Sequence, residues 1–195
     1  MQELSILIIM VIPMVTIIAI MALLVFRMME VVGPDELLIL YGVERPVSDD
    51  GQGLAQGIPG RNRGYSIITE GRVLTIPRWE KAAKMDIHPM EMTWKLPDVR
   101  TRDEDRIAIS ASATVIVDMT PKQVEQFVEL FLGRPQDEIA EAAKKTLESH
   151  IRSIASVLDA EDFSAQTGDV ETRVVQTAAY DLEMLGLKAE ALTLE

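Results

Sequence analysis

The sequence predicts an α+β fold set behind one N-terminal membrane helix: an antiparallel or mixed sheet of about five to six strands, packed by helices between residues 121 and 186. Three observations predict it. Leu4 to Phe26 runs for 23 positions without a charged residue. Arg106 to Met119 alternates with a period of two, and beyond Thr120 the apolar spacing becomes helical.

At about 1.5 Å per residue the apolar run reaches about 34 Å, enough for a hydrocarbon core of about 30 Å. Leu4, Ile8, Pro13, Ile17, Leu24 and Phe26 mark this anchor, which with its flanks makes up residues 1–30. A cleaved secretory signal needs a basic start, a shorter apolar stretch and a small-residue cleavage site. This run opens on Met1-Gln2-Glu3 and closes on Phe26-Arg27-Met28-Met29. Pro13 removes one backbone hydrogen bond at mid-span, a loss that a neighbouring helix can make good. Arg27 on one flank and Glu3 on the other direct the following domain to the cytoplasmic side of the plasma (inner) membrane, as a single-pass protein.

Residues 31–119 read as a β-rich subdomain lying close to the lipid. Gly33-Pro34-Asp35 breaks the helix, and Glu36 to Tyr41, apolar at nearly every position, is a strand buried on both faces. Gly42 to Gly64, rich in Gly, Pro and Asp, reads as a long loop. Its GQGLAQGIPG stretch lacks the Gly-Lys-Ser/Thr ending of a phosphate loop. Tyr65 to Thr69 and Arg72 to Ile76 read as two strands joined by a Glu70-Gly71 turn, followed by strands at Ala83 to Ile87 and Met90 to Leu96. Arg106 to Met119 is the central strand, with small residues on both faces that admit close neighbours.

Residues 120–195 read as a helical subdomain ending in a strand. Thr120-Pro121-Lys122-Gln123 has the form of a capping box with proline at the first helical position, and Gly133 stops that helix near Phe131. A longer helix from about Pro135 carries Ile139, Ala143, Leu147, Ile151, Ile154 and Leu158, with Asp137, Glu138 and Glu141 near its positive end. A short turn at Asp159 to Asp162 leads to a helix from about Val170 to Leu185, stopped by Gly186, and Leu187 to Thr193 is the last strand.

The net charge of −12 is uneven. Residues 44–117 hold eleven acids and eleven bases, whereas residues 118–195 hold sixteen acids against seven bases. That acidity argues against nucleic acid as a partner, whose affinity comes largely from Lys and Arg neutralising phosphates. The absence of cysteine excludes disulfides, thiolate metal sites, cysteine nucleophiles and palmitoyl anchors. His88 before a proline reads as a turn residue and His150 as a helix histidine at the edge of an apolar stripe, so no zinc site, catalytic constellation or cofactor is expected. Asp103-Glu104-Asp105 lacks the regular oxygen ligands of a calcium loop and reads as a solvated hairpin tip. Head-to-tail assembly needs two different complementary surfaces. Arg100 and Arg102 on the neutral part, facing Glu138 and Glu141 on the acidic part of a second copy, are the expected pair. Trp79, at a strand end near the anchor, is expected at the membrane interface, and Trp94 in the core.

VGPDELLILYG (32–42), GRVLTIP (71–77), VRTRDEDRIAISASATVIV (99–117), FLG (131–133) and TLESHIRSIAS (146–156) together resemble the SPFH domain of stomatins, prohibitins and flotillins. FLG and LESHIR are most similar to flotillins, and the resemblance covers residues 32–195. It departs in a longer loop at 43–63, in a transmembrane helix where flotillins carry lipid anchors, as in bacterial relatives, and in an end at Glu195 where a long coiled coil would begin. Either the chain is cut short there or the native protein lacks that stalk. The resemblance implies a non-enzymatic scaffold that forms homo-oligomeric rings or cages on the lipid bilayer and organises microdomains and partner membrane proteins, including proteases. The alternative it leaves open is an accessory subunit regulating a membrane-bound protease.

Overall fold

The computed structural model describes residues 14–23, 26–27, 29–41, 55–59, 65–74 and 81–195. The chain divides into two compact units, Met1–Lys84 and Met85–Glu195.

In the first unit, α1 is helical over residues 14–23 and again at 26–27. Its side chains are exposed on every side, Ile17 at 62% and Phe26 at 77%. Among the described residues no helix is long and apolar enough to cross a membrane. Leu4, Ile8, Pro13 and Leu24 of the expected anchor lie outside the described residues.

Five strands follow, the last ending just past the boundary of this unit: β1 (Met29–Val32), β2 (Glu36–Tyr41), β3 (Ala55–Pro59), β4 (Tyr65–Leu74), antiparallel to the first three, and β5 (Lys81–Asp86). They form one sheet in the order β1-β4-β2-β5, with β3 also on β4. Leu37, Leu38, Ile39 and Leu40 are all buried, as the uninterrupted apolar run of β2 requires. Two expectations are corrected here. The stretch read as one long loop contains β3, and the two strands read on either side of Glu70-Gly71 are a single strand, β4. Gly71 does take a positive φ of 114°, but within the strand and not in a turn. The unbroken β4 pairs Ile68 with Leu38 and Arg72 with Val31, so β1 and β2 use successive halves of one strand. Opposite β3 the register slips between Gln56 and Gly57, a bulge that takes up the extra residue at Thr69.

In the second unit, β6 (Met90–Arg100), β7 (Arg106–Val117) and β8 (Leu187–Leu194) form an antiparallel sheet with β7 central. The single sheet of five to six strands expected from the sequence is thus two sheets. Strand β6 runs past Leu96 because a register shift between Leu96 and Val99 accommodates Pro97, which lacks a ladder donor and sits on an edge strand. The alternation of β7 buries Ile109, Ala111, Ala113, Val115 and Val117. Small Ala111 and Ala113 leave room for the buried Trp94 and Leu192 on the flanking strands, which pair with them in register or lie beside them.

Helices α2 (Pro121–Phe131), α3 (Gln136–Ala155), α4 (Ala160–Ala165) and α5 (Thr167–Glu183) lie between β7 and β8 in sequence. Ile139, Ala143, Leu147 and Ile151 recur every fourth residue on α3, and Val170, Val174, Ala178 and Leu182 do so on α5. The two stripes pack against each other and against β6 and β8. Leu147 and Ile151 are fully buried, each contributing about 1.5–3 kcal/mol.

The capping box expected at the start of α2 does not form. Thr120 stands at the N-cap without a side-chain cap bond. Its hydroxyl and amide donate instead to Asp118 Oδ1 at 2.7 and 2.9 Å. A carboxylate two residues upstream competes successfully for the hydroxyl, and Thr120 is held in an Asx-type turn.

Candidate functional site

The hairpin between β6 and β7 is built from Thr101 to Asp105. Buried Thr101 closes it: its amide and its hydroxyl both donate to Asp105 O at 3.0 Å, and the hydroxyl also donates to Asp103. That bond, aided by backbone amides, holds the Asp103 carboxyl below the usual carboxylate range. Glu104 completes the turn at a φ of 68°, a conformation rare outside glycine. The run of three acids is therefore a folded turn, not merely a charged tip.

The same hairpin docks onto the corner between α3 and α4. The Arg102 amide donates to Leu158 O at 2.9 Å. Its guanidinium forks onto Asp159, with Nε donating to Oδ1 at 2.8 Å and Nη2 to Oδ2. Asp159 is the N-cap residue of α4. Arg102 thus joins residues 57 positions apart within one chain.

Arg100 is exposed and bonds Glu104 at 2.8 Å. Across the hairpin it stands directly opposite Arg106 in the strand register. Arg152, in the last turn of α3, donates to Asp98 O at 2.8 Å. Asp98, Arg100, Arg106, Arg152 and Ser156 together line an open cleft of about 290 Å³. Sequence reasoning misses Arg106 and Arg152: Arg106 falls within the strand alternation, and Arg152 lies 46 residues from it along the chain, with nothing local to link them.

Glu138 and Glu141 occupy the other end of α3. They are exposed, with Arg134 at 3.6 Å from Glu138 and Lys145 at 3.2 Å from Glu141. Fourteen residues separate Glu138 from Arg152, about 21 Å along the helix. The structure does not bring Arg100 and Arg102 together with Glu138 and Glu141 within one chain: they mark opposite ends of the helix.

Trp94 is buried, and Trp79 lies outside the described residues. His150 bonds Asp181 at 2.9 Å, linking α3 to α5. The His88 amide donates to Asp86 at 2.9 Å, and this bond, with the one to the imidazole, depresses the Asp86 carboxyl. Among the described residues no group of three or more His, Asp or Glu side chains could hold a metal ion.

The described residues thus form a two-sheet α+β fold whose charged side chains meet mostly in surface pairs, with an exposed apolar helix before it in sequence. Residues 30–195 match the SPFH domain / Band 7 family, and the chain belongs to that family. It is 26% identical over 165 residues to the flotillin-like protein FloT of Bacillus subtilis (strain 168), covering 84% of this chain and 31% of that protein. Against flotillin-1 of Homo sapiens the identity is 25% over 130 residues, covering 66% of this chain and 30% of that one. The chain therefore spans about a third of the length of these curated relatives.

Proposed function

We propose that the protein is a non-enzymatic, homo-oligomeric membrane scaffold of the flotillin kind, anchored through Leu4–Phe26 and organising membrane microdomains and partner membrane proteins from the cytoplasmic face. The observation that carries this reading is α1: Met14, Val15, Ile17, Ile18, Ile20, Met21 and Leu23 are all more than half exposed. A helix with Thr16 as the one polar residue between positions 14 and 23, and no polar face there, is at home in lipid or in a core, and among the described residues no core covers it. Membership of the SPFH family supports the same reading. Trp79 would sit at headgroup level beside the anchor.

Assembly would run head to tail, with the arginine end of α3 and its hairpin, including Arg100 and Arg102, against Glu138 and Glu141 of the next copy. Arg102 would contribute with its remaining donors, since Asp159 already takes part of its fork. Electron microscopy of the detergent-extracted chain tests this. The expected result is multi-subunit particles that shrink at high salt and on charge reversal at Arg100. Uniform monomers, or a size indifferent to both salt and Arg100→Glu, would overturn it.

A further inference from the structure

We propose that the cleft between the β6–β7 hairpin and the end of α3 is a binding site for a phosphate group, held by Arg100, Arg106 and Arg152. The cross-strand pair comes first. Arg100 and Arg106 face each other directly in the register. Like charges in that position destabilise a sheet, so folding alone gives no reason for the pair. Arg152 then adds a third guanidinium from a different element.

The charges nearby do not cancel these three. Asp98 is the one carboxylate in the lining, and its contact with Arg106 is long, at 3.5 Å. Arg152 spends its bond on a backbone carbonyl of residue 98, not on a carboxylate. Glu104 engages Arg100, but both side chains are more than two-thirds exposed, so the pair is worth little and exchanges readily. Each guanidinium has about five N–H donors, and each here shows a single bond.

The lining of three arginines and one aspartate carries a formal charge of +2 once an incoming anion displaces Glu104 from Arg100, and +1 while that exposed pair holds. A phosphate monoester, at about −1.5 to −2, matches the former, whereas a single carboxylate would leave positive charge unbalanced. Arginine forks suit phosphate oxygens, which accept paired donors. The volume of about 290 Å³ accommodates one such group with its immediate substituent. The ligand is a phosphorylated small molecule or a lipid headgroup, which share this chemistry.

Equilibrium dialysis of labelled inorganic phosphate against the full chain in neutral detergent tests the site. Wild type is expected to saturate near one phosphate per chain, with binding weakened at least tenfold by Arg106→Gln and by Arg152→Gln. Arg152→Lys, which keeps the charge without the fork, should fall between, and Arg134→Gln should bind as wild type. Repeating the dialysis in nanodiscs assigns the source. Loss of phosphate binding when phosphatidic acid is added to phosphatidylcholine identifies a headgroup as the occupant; undiminished binding identifies a free phosphorylated compound. Non-saturating binding, or equal binding by wild type, Arg106→Gln and Arg152→Gln, overturns the proposal. So does phosphate binding that emerges only in Glu138→Gln/Glu141→Gln, because carboxylates of a second copy would then be the occupant.

Discussion

Gly133 and Gly186 share a left-handed backbone, with φ of 78° and 72°, but differ in what surrounds them. A side chain at Gly133 would enter open space. At Gly186 a Cβ would lie 2.5 Å from Gln123 O and 2.6 Å from Phe127 Cβ, because the turn before β8 is pressed against α2. Two bonds fix that approach: Asp118 N to Gly186 O at 3.0 Å and Gln126 Nε2 to Met184 O at 2.7 Å. Gly133→Ala should cost about 1–2 kcal/mol, the backbone cost of the left-handed conformation. Gly186→Ala adds overpacking and should cost about 2–5 kcal/mol. Urea denaturation of the two variants checks the difference; equal losses would mean that the turn moves away from α2 at little cost.

At the scale of the element, the start of α2 carries a pH-dependent contribution. The Thr120 hydroxyl and then its amide lower the Asp118 carboxyl, opposed by partial burial and assisted by Lys188. A carboxyl whose folded value is depressed stabilises the fold above its unfolded value, near 3.9, and loses that contribution as pH falls through the folded value. Asp118→Asn should therefore cost about 1 kcal/mol at pH 7. The gap to wild type should close as the pH is taken below about 3.9 in a series of denaturant melts. A gap that stays constant to pH 2 would show that the charge has no part in it.

Elements of this kind also show where sequence reading succeeds. The stripes of α3 and α5 and the alternation of β7 were legible because burial alone sets them, and burial follows periodicity. The capping box fails because the Thr120 hydroxyl donates to Asp118 and does not accept from a first-turn amide, and the spacing of Thr120 and Gln123 does not record the presence of Asp118. Strand β4 is split in the sequence because Glu70-Gly71 has the composition of a turn, whereas Gly71 takes its positive φ inside one strand that pairs with β1, β2 and β3. The candidate site was half legible. Arg100, Arg102, Glu138 and Glu141 were singled out by charge, but the docking of Arg102 on Asp159 and the convergence of Arg106 with Arg152 depend on tertiary contacts across 57 and 46 positions.

At the scale of the whole molecule, the proposed attachment rests on a helix that offers no polar face. Ile17 is 62% exposed and lies near the middle of the apolar run Leu4–Phe26. If that run crosses a bilayer, a lysine at this depth should weaken insertion by about 2.5–3.5 kcal/mol, roughly a hundredfold or more in the partition between inserted and uninserted chain. If α1 instead lies on a protein surface, Ile17→Lys adds a charge where water already reaches and should leave membrane partition unchanged. Carbonate extraction of membranes carrying wild type or Ile17→Lys separates the two cases. Wild type should stay in the pellet while the variant moves measurably to the supernatant, and Ile17→Leu should behave as wild type. Retention of both in the pellet, or of neither, would remove the helix from the membrane reading. The phosphate cleft in the second unit would keep its own test, because inorganic phosphate needs no bilayer to reach Arg106 and Arg152.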